Sequence, residues 1–150
     1  MEAQEEQSRA RAQALYQRDP TCQLLGITLE EVCPGRARVG MTVQPTMVNG
    51  HGIAHGGFLF LLADAAFAFA SNTHGPVALA RSAEVTFLLP VAAGESLLAE
   101  AVERTRSGLN GIYDVTVRRP DGTVIAEFRG HSVLITEAQA RRLLPAKADR

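Results

Sequence analysis

The sequence FLFLLADAAFAFAS occupies positions 58–71 and contains one charged residue, Asp64. Its Ala and Leu content favours a helix over a strand, and a helix that is apolar on every side is a buried one. An ionised carboxylate is rarely placed among apolar side chains unless it is paired or takes part in chemistry. Asp64 is therefore the first candidate for a catalytic residue. The alternative is a structural role, such as a bond to a buried backbone group or an ion pair with an arginine across an interface.

Strand patterns lie on both sides of this helix. Apolar and polar residues alternate over 36–43, 77–89 and 113–118, and shorter or less regular strands are predicted over 27–32, 95–106 and 123–135. In the strand over 77–89, the alternation predicts a buried face made of Ala83, Val85, Phe87 and Leu89. Turns are predicted at Pro34-Gly35 and at Pro120-Asp121-Gly122, and Asn110-Gly111 is predicted to be a two-residue hairpin turn.

The two ends of the chain are predicted to be helical. Residues 1–19 are rich in helix formers with few apolar positions, which predicts a mostly exposed helix that stops near Asp19-Pro20. Residues 137–150 are predicted to form a tail with one short helix. The order of elements predicts an α+β fold in which a strongly bent antiparallel sheet wraps the buried helix. With 150 residues and no internal linker, a single domain over 1–150 is expected.

Composition and charge exclude several classes of protein. The net charge of −1 offers no field that would attract a nucleic acid. The most apolar stretch, 58–70, is shorter than the ~20 residues of a membrane-spanning helix. Residues 1–19 lack the apolar core of a signal peptide, and the spacing of Cys22 and Cys33 matches no metal motif. We therefore expect a cytoplasmic protein with reduced thiols and with no nucleic-acid or membrane partner.

The glycine-rich segment NGHGIAHGG, residues 49–57, is predicted to be a loop that leads into the buried helix. A helix N-terminus presents unpaired N–H groups and a partial positive charge, and glycines let a substrate approach those groups closely. The junction His55-Gly56-Gly57 is thus suited to act as an oxyanion hole, which holds the negative oxygen that forms when a carbonyl group is attacked. The alternative is that the two glycines only permit a tight turn.

A metal site and a serine nucleophile are both poorly supported. His51 and His55 are four residues apart, but the glycines around His51 disfavour a regular helix and no nearby Cys or Glu completes a ligand set. No serine lies in a GxSxG motif. The sequence therefore predicts no metal and no cofactor.

Asn49, the run His55-Gly56-Gly57, and Asp64 nine positions after the histidine together resemble the motif of PaaI-type hotdog acyl-CoA thioesterases. The resemblance extends over residues 21–136 and implies the hotdog fold. It also implies hydrolysis of CoA esters such as hydroxylated phenylacetyl-CoA, which belongs to aromatic (phenylacetate) catabolism. Members of this family are dimers or pairs of dimers, so a homodimer or homotetramer with sites at the subunit interface is expected.

The resemblance also implies roles for individual residues. Asp64 would be the general base or the nucleophile, and Gly56 would donate its N–H to the thioester oxygen. Asn49 and His55 would order the site, with Gly57 and Phe58 beside the substrate. A serine on the strand after the helix often steadies the carboxylate or its water in this family, and Ser82 occupies that position. The alternation with Ala83 equally explains Ser82 as a polar residue on the outer face of a strand.

Two other functions remain open at the level of sequence. A hotdog hydratase or dehydratase would use Asp64 and His55 to move protons at two carbons. A non-catalytic module would bind acyl-CoA without cleaving it. Four aromatic residues could line a pocket for the acyl group, namely Phe58, Phe60, Phe67 and Tyr113. The CoA phosphates require basic groups, for which Arg81, Arg104, Arg106, Arg118, Arg119 and Arg129 are available.

Overall fold

The computed structural model describes residues 1–146. The helices are α1 Glu2–Gln17, α2 Pro20–Leu25, α3 Gly56–Ser71 and α4 Glu137–Leu143, with a short 3₁₀ turn at Pro45–Met47. The strands are β1 Thr28–Cys33, β2 Arg36–Thr42, β3 Val77–Phe87, β4 Ser96–Ser107, β5 Asn110–Arg118 and β6 Val124–Ile135. The predicted C-terminal helix is present as α4, whereas the last four residues of the predicted tail, 147–150, lie outside the described part of the chain.

All six strands form one antiparallel sheet in the order β1-β2-β4-β5-β6-β3. Helix α3 contacts every one of them. A helix about 10 Å wide can touch strands that span roughly 24 Å only if the sheet curves around it. Phe67 of α3 illustrates the fit, because its ring lies against Gly130 of β6, where a side chain would leave no room. A bent sheet around one long buried helix is the predicted hotdog arrangement, and this prediction is confirmed.

The N-terminal helix α1 packs over the end of α3. Ser8 and Ala12 on its inner side are buried, and the Ser8 hydroxyl donates to the carbonyl oxygen of Thr73 at 3.0 Å. The Arg11 guanidinium donates to the same oxygen at 2.9 Å. Tyr16 meets Phe69 of α3 edge to face, with ring centroids 5.9 Å apart. The exposed helix predicted for residues 1–19 is therefore anchored along one side.

A second helix, α2, begins directly after α1, and the sequence prediction missed it. Asp19-Pro20 does end α1, as expected, but it also starts α2. The Asp19 carboxylate accepts the N–H of Cys22 at 2.9 Å, which caps the helix, and Pro20 occupies its first turn. Proline is well tolerated there because the first helical N–H groups have no intrahelical acceptor.

The predicted hairpin turn at Asn110-Gly111 is wrong by two residues. Ser107 pairs with Asn110, so the turn consists of Gly108 and Leu109, with Gly108 at a φ of 59°. Gly111 lies inside β5, where an added Cβ would come within 2.6 Å of the Ser132 hydroxyl oxygen. Gly111 is thus needed for close packing between strands, and Gly108 supplies the left-handed conformation that the turn needs.

The predicted buried face of β3 is also wrong over much of its length. Phe87 is 50% exposed, Leu89 is 42% exposed, and Ala83 is exposed as well. The reason is the position of β3, which pairs with β6 along one edge and with no other strand among residues 1–146.

No helix in the described chain is long and apolar enough to span a membrane.

Candidate active site

Asp64 lies on the side of α3 that is least covered by the rest of the chain. Gly57, Leu61, Asp64 and Ala68 follow one another at helical spacing on this side and are partly or fully exposed, whereas their neighbours Leu62, Ala63, Ala65 and Ala66 are buried. We call the four residues the Asp64 stripe. Within residues 1–146 the Asp64 carboxylate has no hydrogen bond and no ion pair. The structural alternative in which Asp64 bonds a buried backbone group is therefore not seen within these residues.

Burial raises the pKa of the Asp64 carboxyl above the usual aspartate value, and the nearby negative charge of Asp19 raises it further. Both effects disfavour the ionised form, so Asp64 binds a proton more readily than an exposed aspartate does. A half-buried carboxylate with a raised pKa and no cationic partner is typical of a general base.

Helix α3 begins at Gly56, two residues before the predicted start at position 58, with His55 as its N-cap. The first intrahelical acceptor is the His55 carbonyl, which takes the N–H of Phe58 at 3.0 Å. The N–H groups of Gly56 and Gly57 have no acceptor within residues 1–146, and the helix dipole adds partial positive charge there. This end of α3 therefore offers N–H donors that are suited to an oxyanion.

Gly56 is closely packed, and Gly57 is not. A Cβ on Gly56 would lie 2.8 Å from Cζ of Phe87, so the ring would have to move to make room for a side chain. A Cβ on Gly57 would meet nothing within 4 Å. The Phe87 ring thus lies directly against the residue whose N–H is the expected oxyanion donor, a contact that the sequence did not reveal.

The loop before α3 is ordered around Asn49. Its side-chain oxygen accepts the N–H of His51 at 2.9 Å and that of Ile53 at 3.4 Å, while its own N–H donates to the Ile53 carbonyl at 2.7 Å. The N–H of His55 donates to the Met47 carbonyl at 2.8 Å. The Asn49 bonds order the loop over residues 49–53, and the role expected for Asn49 in the active site stays a prediction. The His55 side chain is exposed and has no hydrogen bond within the described chain.

The structure does not bring all the predicted site residues together within one chain. Gly56 and Asp64 are eight residues apart on one helix, about 12 Å along its axis. Ser82 pairs with His131 of β6, whereas its neighbour Ala83 pairs with Gly130, the residue under the Phe67 ring. Because successive strand residues point to opposite faces, Ser82 lies on the face of the sheet away from α3. Its role at Asp64 stays a prediction.

The four aromatic residues proposed for an acyl pocket divide into two groups. Phe67 and Tyr113 are each 1% exposed and pack against each other, with ring centroids 5.6 Å apart. They belong to the core and cannot contact a substrate in this conformation. Phe58 and Phe60 are only partly buried, so they alone of the four keep surface for a ligand.

No set of three or more His, Cys, Asp or Glu side chains is arranged to bind a metal ion anywhere in residues 1–146.

The sequence prediction also missed the role of Asp19, in addition to the contact of Phe87 with Gly56. Asp19-Pro20 has the composition of a helix stop, which is how the sequence analysis interpreted it. Asp followed by Pro is equally a helix-start signal, with Asp as N-cap and Pro in the first turn. The helix-start signal is enough to predict α2. It does not reveal that the charge of Asp19 raises the pKa of Asp64.

Comparison with known proteins shows the family to which the chain belongs. A family model described as the thioesterase superfamily matches residues 51–126, which include Gly56 and Asp64. The acyl-coenzyme A thioesterase PaaI of Escherichia coli (strain K12) is 41% identical over 121 residues, covering 81% of this chain and 86% of the relative. The structure of the E. coli PaaI protein from the phenylacetic acid degradation operon superposes with a TM-score of 0.86, at 39% identity, covering 88% of this chain and 96% of that one.

Two further solved structures share the fold. The TT0310 protein from Thermus thermophilus is 42% identical with a TM-score of 0.76, covering 79% of this chain and 99% of its own. The smu.793 protein of Streptococcus mutans UA159, solved with acetyl-CoA bound, is 22% identical with a TM-score of 0.70, covering 73% of this chain and 88% of its own. At that identity the second likeness bears on the fold alone.

Proposed function

Because the chain belongs to the thioesterase superfamily, we propose that it hydrolyses the thioester of an acyl-CoA to the free acid and CoA. The observation that carries this proposal is Asp64, a half-buried carboxylate with a raised pKa and no partner within the described chain. The free N–H groups at Gly56 supply the second element that acyl transfer needs. The identity with E. coli PaaI, an acyl-CoA thioesterase, supports CoA as the thiol.

In the proposed reaction the thioester carbonyl oxygen accepts the N–H of Gly56, which polarises the carbonyl. Asp64 takes a proton from water as the water oxygen bonds to the carbonyl carbon. The tetrahedral oxyanion is held by Gly56 and by the dipole of α3. When the oxyanion collapses, the C–S bond breaks and the proton passes to the departing CoA sulfur. In the alternative course an Asp64 oxygen attacks the carbonyl carbon, and the C–S bond breaks to release the CoA thiolate and leave an anhydride. Water then hydrolyses the anhydride to the free acid and restores the Asp64 carboxylate.

An aromatic acyl group is the substrate class that we propose, with the hydroxyphenylacetyl type as the first to test. Two observations support it. The E. coli relative of known structure comes from a phenylacetic acid degradation operon. Phe58 follows Gly56 and Gly57 in the first turn of α3 and is only partly buried, so part of an aromatic residue stays accessible near the start of the helix. Breakdown of such compounds would take place in the cytoplasm, as the sequence predicts.

We further propose that the complete site forms between two copies of the chain, in a homodimer or a pair of dimers. A carbonyl held about 3 Å from the Gly56 N–H lies too far along α3 from Asp64 of the same helix for both to act on it. The Asp64 stripe is apolar apart from Asp64 itself and has room for a partner. If the stripe of one copy faces the Gly56 end of another, two-fold symmetry creates two equivalent sites.

A thiol-release assay across a panel of acyl-CoAs tests the proposed activity. We expect release of CoA, with kcat/KM larger for phenylacetyl-CoA and its hydroxylated forms than for acetyl-CoA. Hydration of an enoyl-CoA without release of thiol would show a hydratase instead. Binding of acyl-CoAs with no cleavage of any of them would show a non-catalytic module.

The same assay tests the expectation that no metal or cofactor takes part. Exhaustive dialysis against EDTA should leave kcat unchanged within error, because Asp64 and Gly56 supply both the base and the electrophilic assistance. A matched sample dialysed without EDTA is the control. Activity that is lost on chelation and restored by Zn²⁺ or Mn²⁺ would contradict this expectation and would make His51 and His55 candidate metal ligands again.

A further inference from the structure

Phe87 is the last residue of β3 and combines two properties. Three atoms of its ring lie 2.8, 3.1 and 3.3 Å from the position where a Cβ on Gly56 would stand. The residue is nevertheless 50% exposed. One part of the ring is therefore fixed against the start of α3, while another part is open to a ligand.

The surroundings of Phe87 make this open part an apolar wall. Leu88 and Leu89 follow it and are 51% and 42% exposed. The backbone here is fixed, since the N–H of Leu88 donates to the Ile125 carbonyl at 2.8 Å. No other ring pairs with Phe87 within residues 1–146. Three consecutive exposed apolar residues at one end of a strand are a candidate binding surface.

The contact between Phe87 and Gly56 indicates which ligand would lie against the exposed part of the ring. A thioester oxygen that accepts the Gly56 N–H places the carbonyl carbon and its acyl substituent within a few ångströms of that glycine, and hence beside the ring. The acyl group is apolar, whereas the CoA portion carries phosphates and seeks water. An aromatic acyl group can also pack edge to face or offset against Phe87, which an acetyl group cannot.

We propose that Phe87 is a specificity-determining residue that packs against the acyl group of a thioester bound at the Gly56 N–H. This inference rests on the proposed thioesterase function and deepens it. It also gives Gly56 a second purpose, because the missing side chain is what allows the ring to reach the donor site.

The test compares Phe87→Ala with Phe87→Tyr, which keeps the ring, and with Leu109→Ala, which truncates an apolar residue that is 61% exposed on the β4–β5 turn. For Phe87→Ala we expect kcat/KM for phenylacetyl-CoA to fall about tenfold or more, the usual scale for losing an aromatic contact in a substrate pocket. The value for acetyl-CoA should change by less than about threefold. Phe87→Tyr and Leu109→Ala should resemble the wild type with both substrates.

A second variant separates packing on Gly56 from a general loss of structure. Gly56→Ala keeps the N–H but drives its Cβ into the Phe87 ring, so its activity should fall. Adding Phe87→Ala removes the collision, and the double variant should then be no worse than Phe87→Ala alone. Additive losses would show that the ring does not act through Gly56, and would overturn that part of the proposal.

Two results would overturn the proposal as a whole. The first is an equal loss for phenylacetyl-CoA and acetyl-CoA. The second is dissociation of Phe87→Ala into monomers by sedimentation, which would mean that a second copy covers the ring. If the wild type cleaves no acyl-CoA, the proposed function itself has failed. Calorimetric binding of a phenylacetyl-CoA thioether then still tests Phe87, and equal affinity of wild type and Phe87→Ala would reject it.

Discussion

Asp64→Asn is expected to lower kcat by about 10²–10⁴-fold, because the amide cannot accept a proton from water or attack the thioester. The two side chains have nearly the same shape, so the packing of α3 should survive. The raised pKa of Asp64 also indicates that the substitution will not destabilise the fold. The folded protein disfavours the ionised form of Asp64, so this carboxylate lowers stability at neutral pH and lowers it less as the pH falls. Asp64→Asn should therefore melt at or above the wild-type temperature.

The pH profile gives independent evidence on the same residue. A general base must be ionised, so kcat/KM should fall as the pH drops through the pKa of Asp64. Because burial and Asp19 raise that pKa, the acid limb should lie above the range of an ordinary aspartate. Asp19→Asn keeps an amide oxygen to cap α2 but removes the charge, and should move the limb to lower pH. Near-normal turnover in Asp64→Asn would contradict the assignment of Asp64 as the base. An acid limb that the Asp19 change leaves in place would contradict only the influence of Asp19 on it.

The sequence predicted the fold because the decisive patterns were local. An apolar helix bounded by a glycine loop and by alternating strands predicts a bent sheet around a buried helix. The resemblance of the motif from Asn49 to Asp64 then implied the hotdog fold, which is confirmed. The errors arose where tertiary contacts decide. Asn110-Gly111 has the composition of a turn, but Gly111 is needed beneath Ser132, so the turn formed at Gly108. The alternation in β3 predicted burial, but a strand at the edge of the sheet leaves Phe87 half-exposed.

The candidate site was only partly predictable for a related reason. Asp64 and Gly56 carry unusual local signals, a charge in an apolar helix and a glycine pair at its start. Phe87 and Asp19 carry none, because their importance depends on which distant residue each one lies beside. Phe87 meets Gly56 only after β3 has returned along α3, and Asp19 affects Asp64 only after α1 has packed against α3.

The proposal that two chains share each site makes the second large-effect prediction. Asp64→Ala removes the base, and Gly56→Pro removes the donor N–H, which by itself is worth about 10²–10³-fold in kcat at an oxyanion site. Each variant alone should be nearly inactive. In a mixed dimer one site would carry both defects, and the other would combine the intact Gly56 of one chain with the intact Asp64 of its partner. Mixing should therefore restore activity as subunits exchange.

This mixing experiment tests the central claim most directly. Proline at the first helical position is well tolerated, yet Gly56→Pro also places atoms against the Phe87 ring, so the variant must first be shown to fold and to form dimers. Random exchange of equal amounts makes half of the dimers mixed, and each mixed dimer has one intact site. We predict that activity rises to about a quarter of the wild-type value at equal total protein. Folded mixed dimers that stay as inactive as the parent variants would show that each site is built within one chain.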